Sequence, residues 1–119
     1  MSSSKQGLGR WGETRAADFL DSQGYQIVER NWRCEYGEID LIARQDAVLV
    51  FIEVKARSSK QFGYPEEAVI PAKQLHLIEA AQTYLQAHPE QDGDWRIDVI
   101  AVQRAADGCQ IHHIENAVA

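Results

Sequence analysis

Val48-Leu49-Val50-Phe51-Ile52 is apolar on both faces, and the run ends abruptly in Glu53-Val54-Lys55-Ala56-Arg57. Strand side chains alternate between faces, so a run with no polar side needs cover above and below. The chain is therefore read as a sheet flanked by helices, with this run as a central strand. Charges at the end of such a strand are costly unless they are paired, solvated or bound to metal. Glu53 and Lys55 share one face. Just upstream, beyond a short polar break, lies Gly37-Glu38-Ile39-Asp40-Leu41-Ile42-Ala43. If the two segments pair as a hairpin, Asp40 and Glu53 come together at one end of the sheet.

The remaining sequence supplies the covering layers. Residues 8–23 read as a helix, with Ala16, Phe19 and Leu20 at helical spacing and Gly24 as its stop; Trp11 and Gly12 mark close packing near its start. Residues 25–33 form a strand in which Val28 is off-period, followed by strands at 37–44 and 47–56. Residues 57–65 have loop composition. Pro71 suits the first position of a helix over 71–87, with Leu75, Ile78 and Leu85 on its buried stripe. Residues 95–103 alternate well and read as a strand, and 109–114 form a weaker one. Trp32 and Trp95 read as packing residues. The order α-β-β-β-α-β-β implies a mixed sheet with a helical crossover between its third and fourth strands. With 119 residues the chain fits one domain, here residues 8–116 behind a flexible polar tail at 1–7.

Composition limits the function classes. No apolar stretch approaches the length of a membrane span, and the start is too polar for a signal peptide. Cys34 and Cys109 read as reduced thiols of a cytoplasmic protein. The net charge of −6 at first argues against a nucleic-acid partner. However, residues 1–60 hold nine basic and nine acidic side chains, against three basic and nine acidic in residues 61–119. The deficit thus belongs to the second half. In the first half, Glu13, Glu38, Asp40 and Glu53 are candidates for one cation site, and a metal there would leave the surrounding surface basic.

Two carboxylates brought together repel unless one is protonated or a cation sits between them. Oxygen-only ligands favour Mg²⁺ or Mn²⁺, which retain several waters. Such an ion activates water and stabilises charge on a phosphate, with Lys55 placed to assist. The ordinary alternative is a solvated strand end. Glu13, on the sequence alone, reads as surface charge at a helix start. Arg10 and Arg15 flank it as phosphate contacts or solvated side chains. Arg57 and Lys60, interleaved with Phe62 and Tyr64, suit a loop that grips a backbone and stacks on unpaired bases, or one whose rings fold back on the domain. Lys73 opens the second helix, where it faces either the sheet's active end or, more ordinarily, solvent. His112 and His113 are neighbours on a strand, point to opposite faces and receive no role.

Several of these segments together resemble the YraN family of small bacterial proteins. The resemblance rests on Gly9-Arg10-Trp11-Gly12-Glu13, with Ala16, Phe19 and Leu20 following, and on Asn31-Trp32-Arg33 and Gly37-Glu38-Ile39-Asp40-Leu41-Ile42. It continues through Phe51-Ile52-Glu53-Val54-Lys55, Arg57, Phe62-Gly63, Lys73 and Arg96-Ile97-Asp98-Val99-Ile100. That family is similar in turn to the restriction-endonuclease-like PD-(D/E)xK nucleases, especially the archaeal Holliday-junction resolvases. The resemblance implies an αβββαβ core and a metal-dependent endonuclease acting on DNA, with branched or structured DNA as substrate and a homodimer as the working unit. It implies that Asp40 and Glu53 hold the metal, that Lys55 is the catalytic lysine and that Glu13 is the first-helix glutamate of the acidic cluster. Ile39 stands where the nuclease motif names a proline, a variation found within that superfamily. The rival expectation is a module on the same fold that binds nucleic acid or a protein, through the acidic face with Glu66, Glu67, Glu79 and Glu90, without cutting.

Overall fold

The computed structural model describes residues 3–58 and 71–118. Among them the element order is α1 (Ser3–Ser22), β1 (Gln26–Cys34), β2 (Gly37–Gln45), β3 (Val48–Arg57), α2 (Pro71–Ala87), β4 (Trp95–Ala105) and β5 (Gly108–Ile114). The five strands form one mixed sheet in the order β1-β2-β3-β4-β5. β3 and β4 pair parallel, and every other neighbouring pair is antiparallel. A parallel pair needs a crossover, and the connection through α2 provides it. β3 is thus a central strand, as its two apolar faces require.

Two apolar cores lie on the two sides of this sheet. Leu49 and Phe51 pack with Leu77, Ala80, Ala81 and Tyr84 of α2. Val50 and Ile52 pack with Ala16, Ala17 and Leu20 of α1, together with Ile100 and Val102 of β4. The buried stripe of α2 differs from the expected one. Leu75 is 56% exposed, while Ile78 and Leu85 are only half-buried. The stripe Leu77, Ala80, Ala81, Tyr84 has the better i, i+3, i+4, i+7 spacing; two small alanines within it weaken its apolar signal in the sequence.

α1 begins at Ser3, ahead of the Leu8 start expected, and so takes in part of the segment read as a tail. Its end matches the Gly24 signal. Gly24 has φ +91°; its N–H donates to Asp21 O at 3.1 Å, and Tyr25 N–H donates to Leu20 O at 2.9 Å. This pair of bonds closes the helix in a Schellman motif, and Tyr25 joins Leu20 in the same core. The off-period Val28 coincides with a register shift between Ile27 and Glu29, which seats Ile27 in the α1 core and Val28 against the α2 core. At the other end of the chain, Ala117 N–H donates to Ile97 O at 2.8 Å and Val118 is buried, so packing continues past residue 116. No helix among the described residues is long and apolar enough to cross a membrane.

Candidate metal centre

The strand alternation breaks at Asp40. Ile39 packs in the α2 core and Leu41 in the α1 core, although residues two apart on a regular strand share a face. In β1, Trp32 pairs with Ile39 and Arg30 with Leu41, and between them Asn31 has φ +54°. The left-handed conformation is one that asparagine tolerates. The β2–β3 ladder ends at the Leu41–Ile52 pair. Beyond it, Val54 N–H donates to Asp40 Oδ2 at 2.8 Å, so the carboxylate satisfies an amide of the neighbouring strand. β2 therefore parts from β3 where Asp40 and Glu53 stand.

The two carboxyl groups have different surroundings. Glu53 is 4% exposed and lies between two ammonium groups, Lys55 Nζ at 3.5 Å and Lys73 Nζ at 3.4 Å. Among the described residues, no cation lies within ion-pair distance of Asp40. Burial pushes its carboxyl from 3.8 up to about 7; repulsion from Glu53, and more weakly from Glu13 and Glu38, adds to this against the opposing Val54 hydrogen bond. Glu13 is also raised, by burial first and then by Glu38 and Glu53, while its hydrogen bond to Asn31 and the nearby Arg30 work the other way. It reaches this neighbourhood because α1 lies very close to β3. A Cβ on Gly12 would stand 2.5 Å from the Ala56 Cβ, so only glycine fits that contact.

Among the described residues, no group of three or more His, Cys, Asp or Glu side chains converges tightly enough to hold a metal. Asp40 and Glu53 nevertheless offer hard oxygen donors, and Mg²⁺ often takes one or two protein carboxylates and fills its remaining positions with water. The donor chemistry suits a divalent cation, and a half-buried Asp40 with no cation partner among the described residues suits one in particular. Glu53 is different: its negative charge is already balanced by two lysines, one of which an incoming ion must displace.

The basic residues fall into distinct places. Arg10 lines a cleft of about 380 Å³ with Glu13, Asn31, Arg33 and Glu38. Arg57 lines a second, of about 310 Å³, with Leu8, Lys55 and Ser58. Arg15 lies over the Trp11 ring, 6.0 Å from its centroid. Lys73 reaches Glu53 from the start of α2 and so faces the sheet's active end, while its side chain stays 39% exposed. Lys60, Phe62, Tyr64, Glu66 and Glu67 lie outside the described residues.

Three contributions were not anticipated from the sequence. Arg33 pairs with Glu38 at 3.2 Å on the rim of the first cleft. Asn31 supplies both the kink in β1 and the partner of Glu13. Asp98, 0% exposed, gathers Arg96 at 3.0 Å, His113 Nε2 at 2.7 Å and the Asn116 N–H at 2.8 Å. Burial alone would raise the Asp98 carboxyl, but those three donors hold it below its usual range. His113, assigned no role on the sequence alone, thus belongs to a buried network that fastens β5 and the following turn to β4. An acid set among Ile97, Val99 and Ile100 was the available signal, because a buried carboxylate needs partners.

The chain matches the family described as "Uncharacterised protein family UPF0102" over residues 12–102. Among its relatives, the UPF0102 protein of Syntrophotalea carbinolica is 46% identical over 110 residues, covering 92% of this chain and 89% of the relative. That of Roseiflexus castenholzii is 44% identical over 114 residues, covering 93% and 92%. A UPF0102 protein of Chlorobium phaeobacteroides is 52% identical over 95 residues, covering 80% and 75%. The matched span takes in Glu13, Asp40, Glu53, Lys55 and Lys73.

Proposed function

For this chain, which belongs to the uncharacterised protein family UPF0102, we propose a metal-dependent endonuclease that hydrolyses phosphodiester bonds, with DNA as the substrate. The observation that carries this reading is the pairing of a half-buried Asp40, with no cation partner among the described residues and its carboxyl raised to about 7, with Glu53 and its two lysines where β2 leaves β3. Strongly shifted groups of this kind concentrate at functional sites. The αβββαβ order of the restriction-endonuclease-like resemblance, which α1 through β4 follow, supports it as analogy.

Asp40 and Glu53 would hold Mg²⁺ or Mn²⁺, with Glu13 at the edge of the acidic cluster. When bound, the cation supplies a water of lowered pKa and positive charge opposite the developing phosphorane. The chain's own residues do the rest. Asp40 gives up its proton and remains oriented by the Val54 N–H. Lys55, released from Glu53, takes a position from which its ammonium group neutralises charge on the phosphate and orders the attacking water. Lys73 retains Glu53 in the orientation it already has. Arg10 and Arg57, on the rims of the two clefts, hold the phosphates that flank the scissile bond.

The test is a panel of single-stranded, duplex, flap and four-way DNA, with an RNA strand alongside, incubated with Mn²⁺. Cleavage by the unaltered protein should fall at least ~100-fold in Asp40→Asn, Glu53→Ala and Lys55→Ala, as expected when an electrostatic group at the reacting phosphate is removed. Equal cleavage in all three would remove the assignment. Preference for the four-way substrate, together with a dimer by light scattering, would extend the resemblance to resolvases.

A second reading is a nuclease-like module that binds without cutting. Two observations favour it: Glu53 is already neutralised by Lys55 and Lys73, and no three acidic groups converge among the described residues. On that reading, nucleic acid binds but no substrate in the panel is cut.

A further inference from the structure

On the β4–β5 side of α1, away from the cleft that contains Glu13, Trp11 is flanked by two guanidinium groups. Arg104 lies over its ring, 4.6 Å from the centroid, and Arg15 stands 6.0 Å away. The three side chains line a cleft of about 350 Å³, closed by Ala105, Gly108 and Cys109 of the β4–β5 hairpin. Unlike Arg33, Arg96, Lys55 and Lys73, which all have carboxylate partners, neither Arg15 nor Arg104 makes a hydrogen bond or ion pair among the described residues. Each guanidinium carries five N–H donors in a planar fork. The indole face offsets part of the repulsion between them and restricts their planes. Two guanidinium groups against one indole, with their donors open and lining one cleft, form a receptor for an anion that has at least two acceptor oxygens.

The sheet register ties this cleft to the proposed cleavage centre. In the parallel β3–β4 pair, Lys55 is level with Ala101 and Arg57 with Gln103, so Arg104 follows at the same end of the sheet. Lys55 and Arg57 line the neighbouring cleft under the start of α1. The basic groups of this end thus extend from the acidic centre, past the close contact between Gly12 and Ala56, to Trp11.

We propose that Arg15 and Arg104, gathered on Trp11, form a second phosphodiester-binding subsite that holds the backbone of a nucleic-acid strand beyond the cleavage centre. The proposal rests on the reading of the substrate as a nucleic acid, but not on hydrolysis. A phosphodiester presents two non-bridging oxygens, which suit a guanidinium fork. Held here, the strand would cross α1 with its scissile phosphate near Lys55 and another phosphate at Arg104.

The test separates binding from cleavage. A short fluorescein-labelled single-stranded oligonucleotide is titrated in EDTA with Asp40→Asn, and with the same protein carrying Arg15→Ala and Arg104→Ala. The double replacement should weaken binding about tenfold at moderate salt and lower the slope of log K against log salt by about 1. Arg44→Gln, which removes one positive charge from the opposite end of β2, should change the affinity less than about twofold. In the unmutated protein, the oligonucleotide should also protect Cys109 from maleimide, read peptide by peptide by mass spectrometry. Unaltered affinity in the double variant, a loss no greater than that of Arg44→Gln, an unprotected Cys109, or no binding at all would overturn the subsite. If cleavage occurs but the arginines prove silent, the subsite falls and hydrolysis stands. If binding depends on the arginines but nothing is cut, the subsite stands and hydrolysis falls.

Discussion

Asp40 is the residue at which the fold bears a cost. Its carboxyl titrates near 3.8 in the unfolded chain and at about 7 in the folded one, so between those values the folded state binds more protons. Stability contributed by the neutral form is complete below about pH 4 and is lost as pH rises through 7. Asp40→Asn keeps an oxygen to accept the Val54 N–H but does not ionise. In metal-free buffer its stability should match the parent near pH 4 and exceed it by on the order of a few kcal/mol at pH 8, as measured by urea denaturation across pH. A constant difference between the two proteins from pH 4 to pH 8 would mean that Asp40 is solvated and unstrained. Glu53 and Lys55 were legible in the sequence because period-two alternation places them together at the end of an apolar run. The Lys73 contact was not, because it depends on how α2 returns over the sheet. The same limit applies to Asp98 and His113: the rule that adjacent strand residues face apart is sound, but it does not say which cross-strand partner each one meets.

At the scale of elements, the position of α1 is set by a single missing methyl group. Gly12 lies against Ala56, and a Cβ added there meets the Ala56 Cβ at 2.5 Å. Gly12→Ala should therefore push α1 away from β3 and cost about 1–3 kcal/mol by overpacking, despite the better helix propensity of alanine. Combining it with Ala56→Gly should restore more stability than the two single changes predict by addition, which a thermal-unfolding double-mutant cycle reads directly. Strict additivity would place the helix elsewhere. The sequence revealed the strands and their order well because hydrophobic alternation and turn glycines report them locally. It revealed less about faces. The kink at Asn31 and Asp40 breaks the alternation just where the acidic groups collect, and the buried stripe of α2 runs through small alanines rather than the conspicuous Leu75.

Across the whole molecule, the distribution of charge matters more than its sum. The chain is acidic overall, with a net charge of −6, yet Arg10, Arg15, Lys55, Arg57 and Arg104 line three clefts beside the first half of α1. Acidic groups with no converged cation site among the described residues and a run of basic side chains thus occupy the same end of the sheet. A divalent ion and a polyanion together would satisfy both. The metal is the first link in that account, and Mn²⁺ calorimetry at pH 7 in buffers of different ionisation enthalpy tests it most directly. The parent protein should bind an ion and release close to half a proton as Asp40 ionises, while Asp40→Asn should bind at least ~10-fold more weakly and without that proton release. No binding by the parent, or equal binding and proton release by Asp40→Asn, would contradict a metal centre at Asp40 and Glu53.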